Sequence, residues 1–307
     1  MNLNTTTNQT QLKKLLSEDF KGEFSLNEPL KNHTWYKIGG PADVIAYPKN
    51  IDDLKLIINF CKQKNTPYYI IGEGANLLVS DFGFRGVIIK LNRFFNSFQI
   101  KDMIIIADAG VSFNDLILYC EEKNLGGLEY LSGIPGSVGG MLMMNAGTSK
   151  GEIGEILEKV CYLDENLNVS ILDKTQITFD YRYVKEFQDK ILLTCELKVR
   201  EDDGNRLKKL RLAQLQMRAA KQPLEYPSCG SVFKRPENHY VGKMVEDLHL
   251  KGFIYGDAMI SEKHGGFIVN KGNASANDIM YIIRKVQDEV YKHFQVRLEP
   301  EVKFLGF

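Results

Sequence analysis

The sequence is short of the features that announce a chemistry at sight. Cysteine is scarce: Cys61, Cys120, Cys161, Cys195 and Cys229 are odd in number and widely separated, with no C-x-x-C and no paired histidine spacing beside them. That pattern excludes a disulfide framework and a structural zinc site; it reads as a reducing compartment and no bound metal. An excess of charge is also lacking. Lys+Arg 39 balances Asp+Glu 39, so no net positive field gathers nucleic acid or anionic lipid, and neither is expected as a partner. No apolar run approaches the ~18 residues of a membrane span. Met1 to Lys14 is polar and rich in Thr and Asn, without the apolar centre of a signal peptide, and a cytoplasmic location is expected. Repeats and long low-complexity stretches are missing too.

What is present is an ordinary globular composition, 44% hydrophobic and 25% charged over 307 residues, long enough for about two domains. Strands and helices alternate. Asp43 to Tyr47 reads as a strand, Asn50 to Lys64 as a helix with Ile51, Leu54, Ile58 and Cys61 at helical spacing, and Tyr68 to Ile71 as a buried strand. Strands at Val87 to Leu91 and Ile104 to Ala107 precede a helix from the N-cap Ser112 to about Asn124, stopped by Gly126 and Gly127. Further strands are expected at Val160 to Leu163, Val169 to Leu172 and Ile191 to Arg200. A charged helix from Asn205 to Lys221, ended by Pro223, marks the best boundary, near residue 202. A short helix near Val241 to Leu248, a strand Gly266 to Asn270, a helix Asn277 to Phe294 and a last strand Val296 to Leu305 follow.

Glycine, 26 residues, is the compositional outlier, and it is clustered. The first loop, Gly72-Glu73-Gly74-Ala75-Asn76-Leu77-Leu78, follows a strand, where glycines let backbone N–H groups approach an anion. It is not a dinucleotide fingerprint, because Leu77 holds the third glycine position and a turn and strand follow; a tight turn explains it equally. The second loop runs Gly133-Ile134-Pro135-Gly136-Ser137-Val138-Gly139-Gly140, with Asn145-Ala146-Gly147 close behind. Its glycines, rigid proline and hydroxyl suit amides wrapped around a pyrophosphate, or a glycine-dense corner between packed elements. It is neither a P-loop nor a nucleophile elbow.

These two loops, with Asn145-Ala146-Gly147 and Trp35-Tyr36-Lys37-Ile38-Gly39-Gly40-Pro41-Ala42, resemble the UDP-N-acetylenolpyruvoylglucosamine reductase family, flavoenzymes of peptidoglycan precursor synthesis. The resemblance runs in order from about residue 30 to the C-terminus. It implies an α+β architecture: a two-subdomain FAD-binding domain of the vanillyl-alcohol-oxidase (PCMH) type, over 31–202 with a break near 92, then a smaller α+β substrate-binding domain over 203–307. Residues 1–30 are left as an N-terminal extension. FAD would be held non-covalently by Gly72, Glu73, Gly74, Ala75, Asn76, Leu77, Gly133, Pro135, Gly136, Ser137, Gly140 and Asn145, with NADPH as hydride donor. The implied substrate is UDP-N-acetylglucosamine enolpyruvate, and a monomer is expected.

Three further positions gain meaning only through this resemblance: Arg182 in Phe179-Asp180-Tyr181-Arg182, Ser231 in Gly230-Ser231-Val232-Phe233, and Glu301 in Pro300-Glu301-Val302. Alone, each reads as a surface charge or a turn residue. The family's motifs imply Ser231 as proton donor, with Arg182 and Glu301 polarising the substrate carboxylate. The chemistry needs such groups. Hydride added to an enol ether conjugated to a carboxylate drives negative charge onto that carboxylate, where a guanidinium and a protonated carboxyl can meet it. Ser231 is a weak acid, so Lys234 and Arg235 are candidates to hold its alkoxide. The resemblance also implies that Lys221 faces the UDP-sugar diphosphate, with Arg235 adding charge near it and Lys234 among the substrate-binding residues. His264 is expected to be structural, and Cys229 buried and inert.

The chain departs from the family at Val184, where Tyr-Arg-x-Ser is common, and at Arg235, which commonly is Asn. The short interval between Arg182 and Ile191 leaves no room for the substrate-covering insertion of one family branch, and in this the chain resembles the shorter, second type. Two other readings stay open on sequence: a flavin-dependent oxidase of the same fold, and an inactive nucleotide-sugar-binding module. The first lacks a flavin-attachment His or Cys beside the loops. The second leaves the joint presence of Arg182, Ser231 and Glu301 without a reason.

Overall fold

The computed structural model describes residues 3–307, with side chains from Thr10 onward. The chain packs as two units. The first gathers the residues up to Leu26, Asp43–Gly72 and Gly86–Leu215; the second gathers Asn27–Ala42, Glu73–Arg85 and Gln216–Phe307.

In the first unit, the helices are α1 (Leu3–Glu18), α2 (Ile51–Gln63), α3 (Phe113–Glu122), α4 (Val138–Met143) and most of α5 (Gly204–Lys221). A four-stranded sheet runs in the order 23–29, 41–47, 84–90, 68–71, with Tyr68–Ile71 parallel to 84–90 in a register that sets Tyr68 opposite Val87. A five-stranded antiparallel sheet follows in the order 169–173, 157–163, 191–198, 104–108, 98–101. The caps act where the sequence places them: Asn50 accepts from the N–H of Asp53, and Ser112 from that of Asp115. Leu54, Ile57 and Ile58 of α2 and Leu116 and Ile117 of α3 join Val87, Ile89, Ile105, Ala107, Val160 and Leu197 in one apolar core.

The second unit is built on α6 (Val241–Asp247), α7 (Ala276–Phe294) and a three-stranded antiparallel sheet of 254–255, 258–260 and 268–270. α7 starts in a capping box between Ser275 and Asp278 and buries Ile279, Ile282, Ile283, Val286 and Val290 along one stripe. Asp81 accepts from the N–H groups of Ala276 (2.8 Å) and Asn277 (3.2 Å), which seals the same helix end. Leu77–Val79 pairs in parallel with Lys303–Leu305. Buried Tyr36 donates its hydroxyl to the carbonyl of Ile268 (3.0 Å), while Asn270 donates to the carbonyl of Tyr36.

The packing therefore does not follow a single cut near residue 202. Asn27–Ala42 and Glu73–Arg85 are covered by the C-terminal part of the chain, through Tyr36, Ile38 and Leu78 in its core. Other expectations change locally. The segment Val296 to Leu305 is regular strand only over Lys303–Leu305, since Pro300 has no N–H to give a ladder. Within the second glycine loop, Val138 to Met143 is helical: Ser137 caps it, and Val138, Met141 and Leu142 bury one face that the glycine pair hides from a periodicity reading. The polar stretch Leu3–Glu18 is a helix as well, which places Leu12 and Leu16, four residues apart, in the core.

No helix among the described residues is long and apolar enough to cross a membrane. No group of three or more His, Cys, Asp or Glu among them could hold a metal ion.

Candidate active site

The glycine loops are set on the first unit by strand ends and by α4. Gly72, at the end of the strand Tyr68–Ile71, lies against Ser137: a Cβ on Gly72 would stand 2.4 Å from the serine Oγ. That hydroxyl in turn accepts from the N–H of Gly140 at 3.2 Å. The carbonyl of Gly136 takes the N–H of Phe113, and the N–H of Val138 goes to Val111. The N–H groups of Gly136 and Ser137 meet no acceptor among the described residues. Gly136 holds φ +157°, and a Cβ there would meet only the flexible Met141 side chain, at 3.4 Å. Two N–H donors without a partner among the described residues, beside an open glycine, are backbone groups chemically suited to an oxyanion. Gly133 is left-handed at φ +81°, and Pro135 stiffens the turn between them.

Gly74 differs. At φ +68° its missing Cβ makes room for the carbonyl of His33, 2.1 Å from where that atom would sit. The chain's own backbone, not a ligand, demands glycine at this position. Gly74 also accepts from Trp35, and Glu73, Ala75 and Asn76 continue the turn into the buried Leu77 of the strand Leu77–Val79.

Arg182 stands on the first unit at the tip of a two-residue hairpin, where Phe179 pairs with Val184 and Asp180 with Tyr183. Its backbone is left-handed at φ +57°, and its side chain is 19% exposed. Nη1 donates to the carbonyl of Asn145 (3.3 Å) and Nη2 to that of Gly147 (3.0 Å). The guanidinium also contacts the ring of Tyr181. Val184 is buried in the core beneath the hairpin, so the arginine's support comes from carbonyls rather than from a hydroxyl at that position. Asn145 is fully buried, and its amide is engaged internally: Nδ2 donates to Glu152 (2.5 Å) and to the carbonyl of Asp180 (3.2 Å), while Oδ1 accepts from Gly154 (3.2 Å). Those bonds tie its side chain to Glu152, Gly154 and the hairpin, while its backbone carbonyl receives Arg182.

On the second unit, Ser231 and Glu301 are brought together by backbone pairing. Val232 donates to Gly266, Lys234 donates to Glu299, and Phe233 bridges Pro300. Glu301 donates to Val232 at 2.7 Å. Asn76 fixes the same strand from the other side, giving its amide to the carbonyl of Glu301 (3.1 Å) and accepting from Lys303 (3.0 Å). Beside Ser231, Gly230 has no heavy atom within 4 Å of a Cβ position, so the backbone there borders open space. Cys229 is buried and hydrogen-bonded to Tyr36; burial pushes its thiol up to about 12, and it is inert. His264 accepts from the N–H of Gly266 on Nδ1 (3.1 Å), which puts its proton on Nε2. Its pKa is lowered by burial, with a smaller contribution from Lys251.

A model of the C-terminal domain of UDP-N-acetylenolpyruvoylglucosamine reductase matches residues 222–305, and a FAD binding domain matches residues 42–165. The reductase of that name from Caldanaerobacter subterraneus subsp. tengcongensis is 43% identical over 96% of this chain and 97% of its own length. That of Clostridium botulinum (strain Langeland) is 42% identical over 92% of each. The crystal structure of the reductase from Thermus caldophilus superposes with a TM-score of 0.79 at 32% identity, covering 93% of this chain and 99% of that one. The chain belongs to the UDP-N-acetylenolpyruvoylglucosamine reductase family.

Membership in this reductase family calls for FAD, and the backbone donors of Gly136 and Ser137 have the chemistry that a pyrophosphate needs. The cations expected around the diphosphate are less uniform in their surroundings. Lys234 is drawn to Glu299 at 2.5 Å, and exposed Arg235 lies 4.0 Å from the ring centroid of Tyr240. Lys221 ends α5 as an exposed charge. Glu152 and Tyr36 escaped the sequence reading. The E-x-x-E spacing of Glu152 and Glu155, a capping box in the fold, was the available signal for the first; the second lay inside the quoted Trp35-Tyr36 motif.

Proposed function

We infer that this chain is an FAD-dependent, NADPH-linked reductase that converts UDP-N-acetylglucosamine enolpyruvate to UDP-N-acetylmuramate in peptidoglycan precursor synthesis. The observation that carries the reading is the end-to-end match at 43% identity. FAD would be held by the loops Gly72 to Asn76 and Gly133 to Gly140 and, when bound, would supply the hydride chemistry with NADPH as donor.

The chain's own residues manage charge and protons. As the methylene carbon of the enol ether gains hydride, negative charge moves onto the conjugated carboxylate. Arg182, held by two carbonyls so that its plane is set in advance, meets that charge without reorganising. Glu301, in its protonated form, donates to the same carboxylate. Ser231 then gives its hydroxyl proton to the carbon next to the carboxylate, which completes the lactyl ether. Glu301 and Ser231 keep a fixed spacing because Val232 links their backbones.

Visible absorption of the purified protein tests this reading. A flavin spectrum, bleached by NADPH and restored without oxygen by the enolpyruvyl sugar, is expected. A colourless protein that takes up no FAD, or one whose reduced form ignores the sugar, would overturn it.

A further inference from the structure

Beside the Arg182 hairpin lies a carboxylate that the reaction as described does not use. Glu152 lies in a short strand whose register sets it opposite Gly147, the residue whose carbonyl receives Arg182 Nη2. Its Oε2 accepts from Asn145 Nδ2 at 2.5 Å, and the backbone carbonyl of that same Asn145 accepts from Arg182 Nη1. Its Oε1 stands 3.8 Å from Arg182 Nη1, an ionic contact too long for a hydrogen bond. The backbone of Glu152 is itself tied down, by Glu155 Oε1 at its N–H (3.1 Å) and by the Tyr130 hydroxyl at its carbonyl (3.2 Å).

Each link has a physical role. Arg182 sits in a left-handed turn, and Asn145 is left-handed too, at φ +40°. Both are conformations that a non-glycine residue keeps only when its surroundings enforce them. Asn145 is the enforcing group, because its amide holds Asp180, one residue from the turn, while its carbonyl holds the guanidinium. Glu152 fixes the rotation of that amide. Its charge also draws the guanidinium toward Asn145 and Gly147 without forming the bidentate pair that would occupy the arginine face.

We propose that Glu152 is a positioning residue for Arg182, orienting the guanidinium toward the substrate carboxylate through Asn145 and by its own charge. This rests on the assignment of Arg182 to the substrate carboxylate. It predicts a separation of binding from turnover. Removing the negative charge relieves repulsion of an incoming carboxylate, so an anionic ligand should bind no more weakly, while the loss of orientation slows the step in which charge develops.

The test is a double-mutant cycle of Glu152→Gln and Arg182→Ala in the FAD-loaded enzyme. It reads single-turnover reoxidation by the enolpyruvyl sugar, normalised to reduction by NADPH, and the dissociation constant of UDP-N-acetylmuramate by calorimetry. Glu152→Gln should slow normalised reoxidation by about 10- to 100-fold, within the cost of about 1 Å of misplacement, with product binding as tight as in the parent. In the Arg182→Ala background the same change should have less than about a twofold effect, as expected of residues acting as one unit. Parent-like reoxidation in Glu152→Gln, additive effects in the cycle, or product binding lost in step with turnover would each overturn the inference. If Arg182→Ala alone reoxidises normally, the Arg182 assignment fails, and this inference falls with it. Should Glu152→Gln not retain FAD, Glu152→Asp replaces it in the cycle: it keeps the charge, is too short to reach Asn145, and carries the same expected slowing.

Discussion

The backbone N–H of Glu301 donates to the carbonyl of Val232 at 2.7 Å, so Ser231, the neighbour of Val232, and a carboxyl group far apart from it in sequence are spaced by main chain. Their side chains can be changed without disturbing that spacing. Arg182, by contrast, reaches its place through its own side chain, which grips two carbonyls.

Arg182→Ala and Glu301→Ala should therefore separate the half-reactions. Charge appears on the substrate carboxylate only after hydride transfer to the sugar, so reoxidation of the reduced enzyme should slow by about 10²–10³-fold, the worth of one preorganised donor. Bleaching by NADPH should persist. Stopped-flow traces in which both phases slow alike would remove the assignment.

Gly136→Val should yield apoprotein. The position combines φ +157°, which a β-branched residue resists, with backbone N–H groups at Gly136 and Ser137 that meet no acceptor among the described residues. The flavin-to-protein absorbance ratio after purification checks this, and full occupancy would move the cradle elsewhere.

Much of this arrangement was legible in the sequence. The helix after Asn50, the strand Tyr68–Ile71 and the helix after Ser112 follow from cap residues and apolar spacing, and they appear within a few residues of their expected ends. What periodicity could not carry was long-range closure. Leu77–Val79 pairs with Lys303–Leu305 across more than two hundred residues, and nothing local in either segment names the other. The interleaving of the two packing units follows from such pairings. Arg182, Ser231 and Glu301 stood out only through their motifs, because no local rule tells a functional arginine from a solvated one. Glu152 was not singled out for the related reason that its partners, Asn145 and Arg182, are joined to it by a tertiary hydrogen bond and an ionic contact that nothing local announces.

The His264 ring adds a pH dependence to stability. Burial lowers its pKa in the folded state, so the unfolded chain binds the proton more readily, and this contribution to stability is complete above the unfolded value of about 6.5 and lost as pH falls below it. Urea unfolding followed between about pH 5 and 8 should show the parent losing more stability on acidification than His264→Gln. Equal losses in the two proteins would show that His264 titrates alike in both states.

Single-turnover reoxidation of NADPH-reduced Ser231→Ala by the enolpyruvyl sugar, run in H₂O and in D₂O, addresses the proton donor directly. The variant should bind FAD and be reduced like the parent, yet form product about 10²–10⁴-fold more slowly, the usual worth of a positioned general acid. Cys229, buried and hydrogen-bonded to Tyr36, should give no rescue. The parent should show a solvent isotope effect on product formation that the variant alters. Product formation by Ser231→Ala at the parent rate, with the same isotope effect, would contradict the account and transfer the proton to a water or to Glu301.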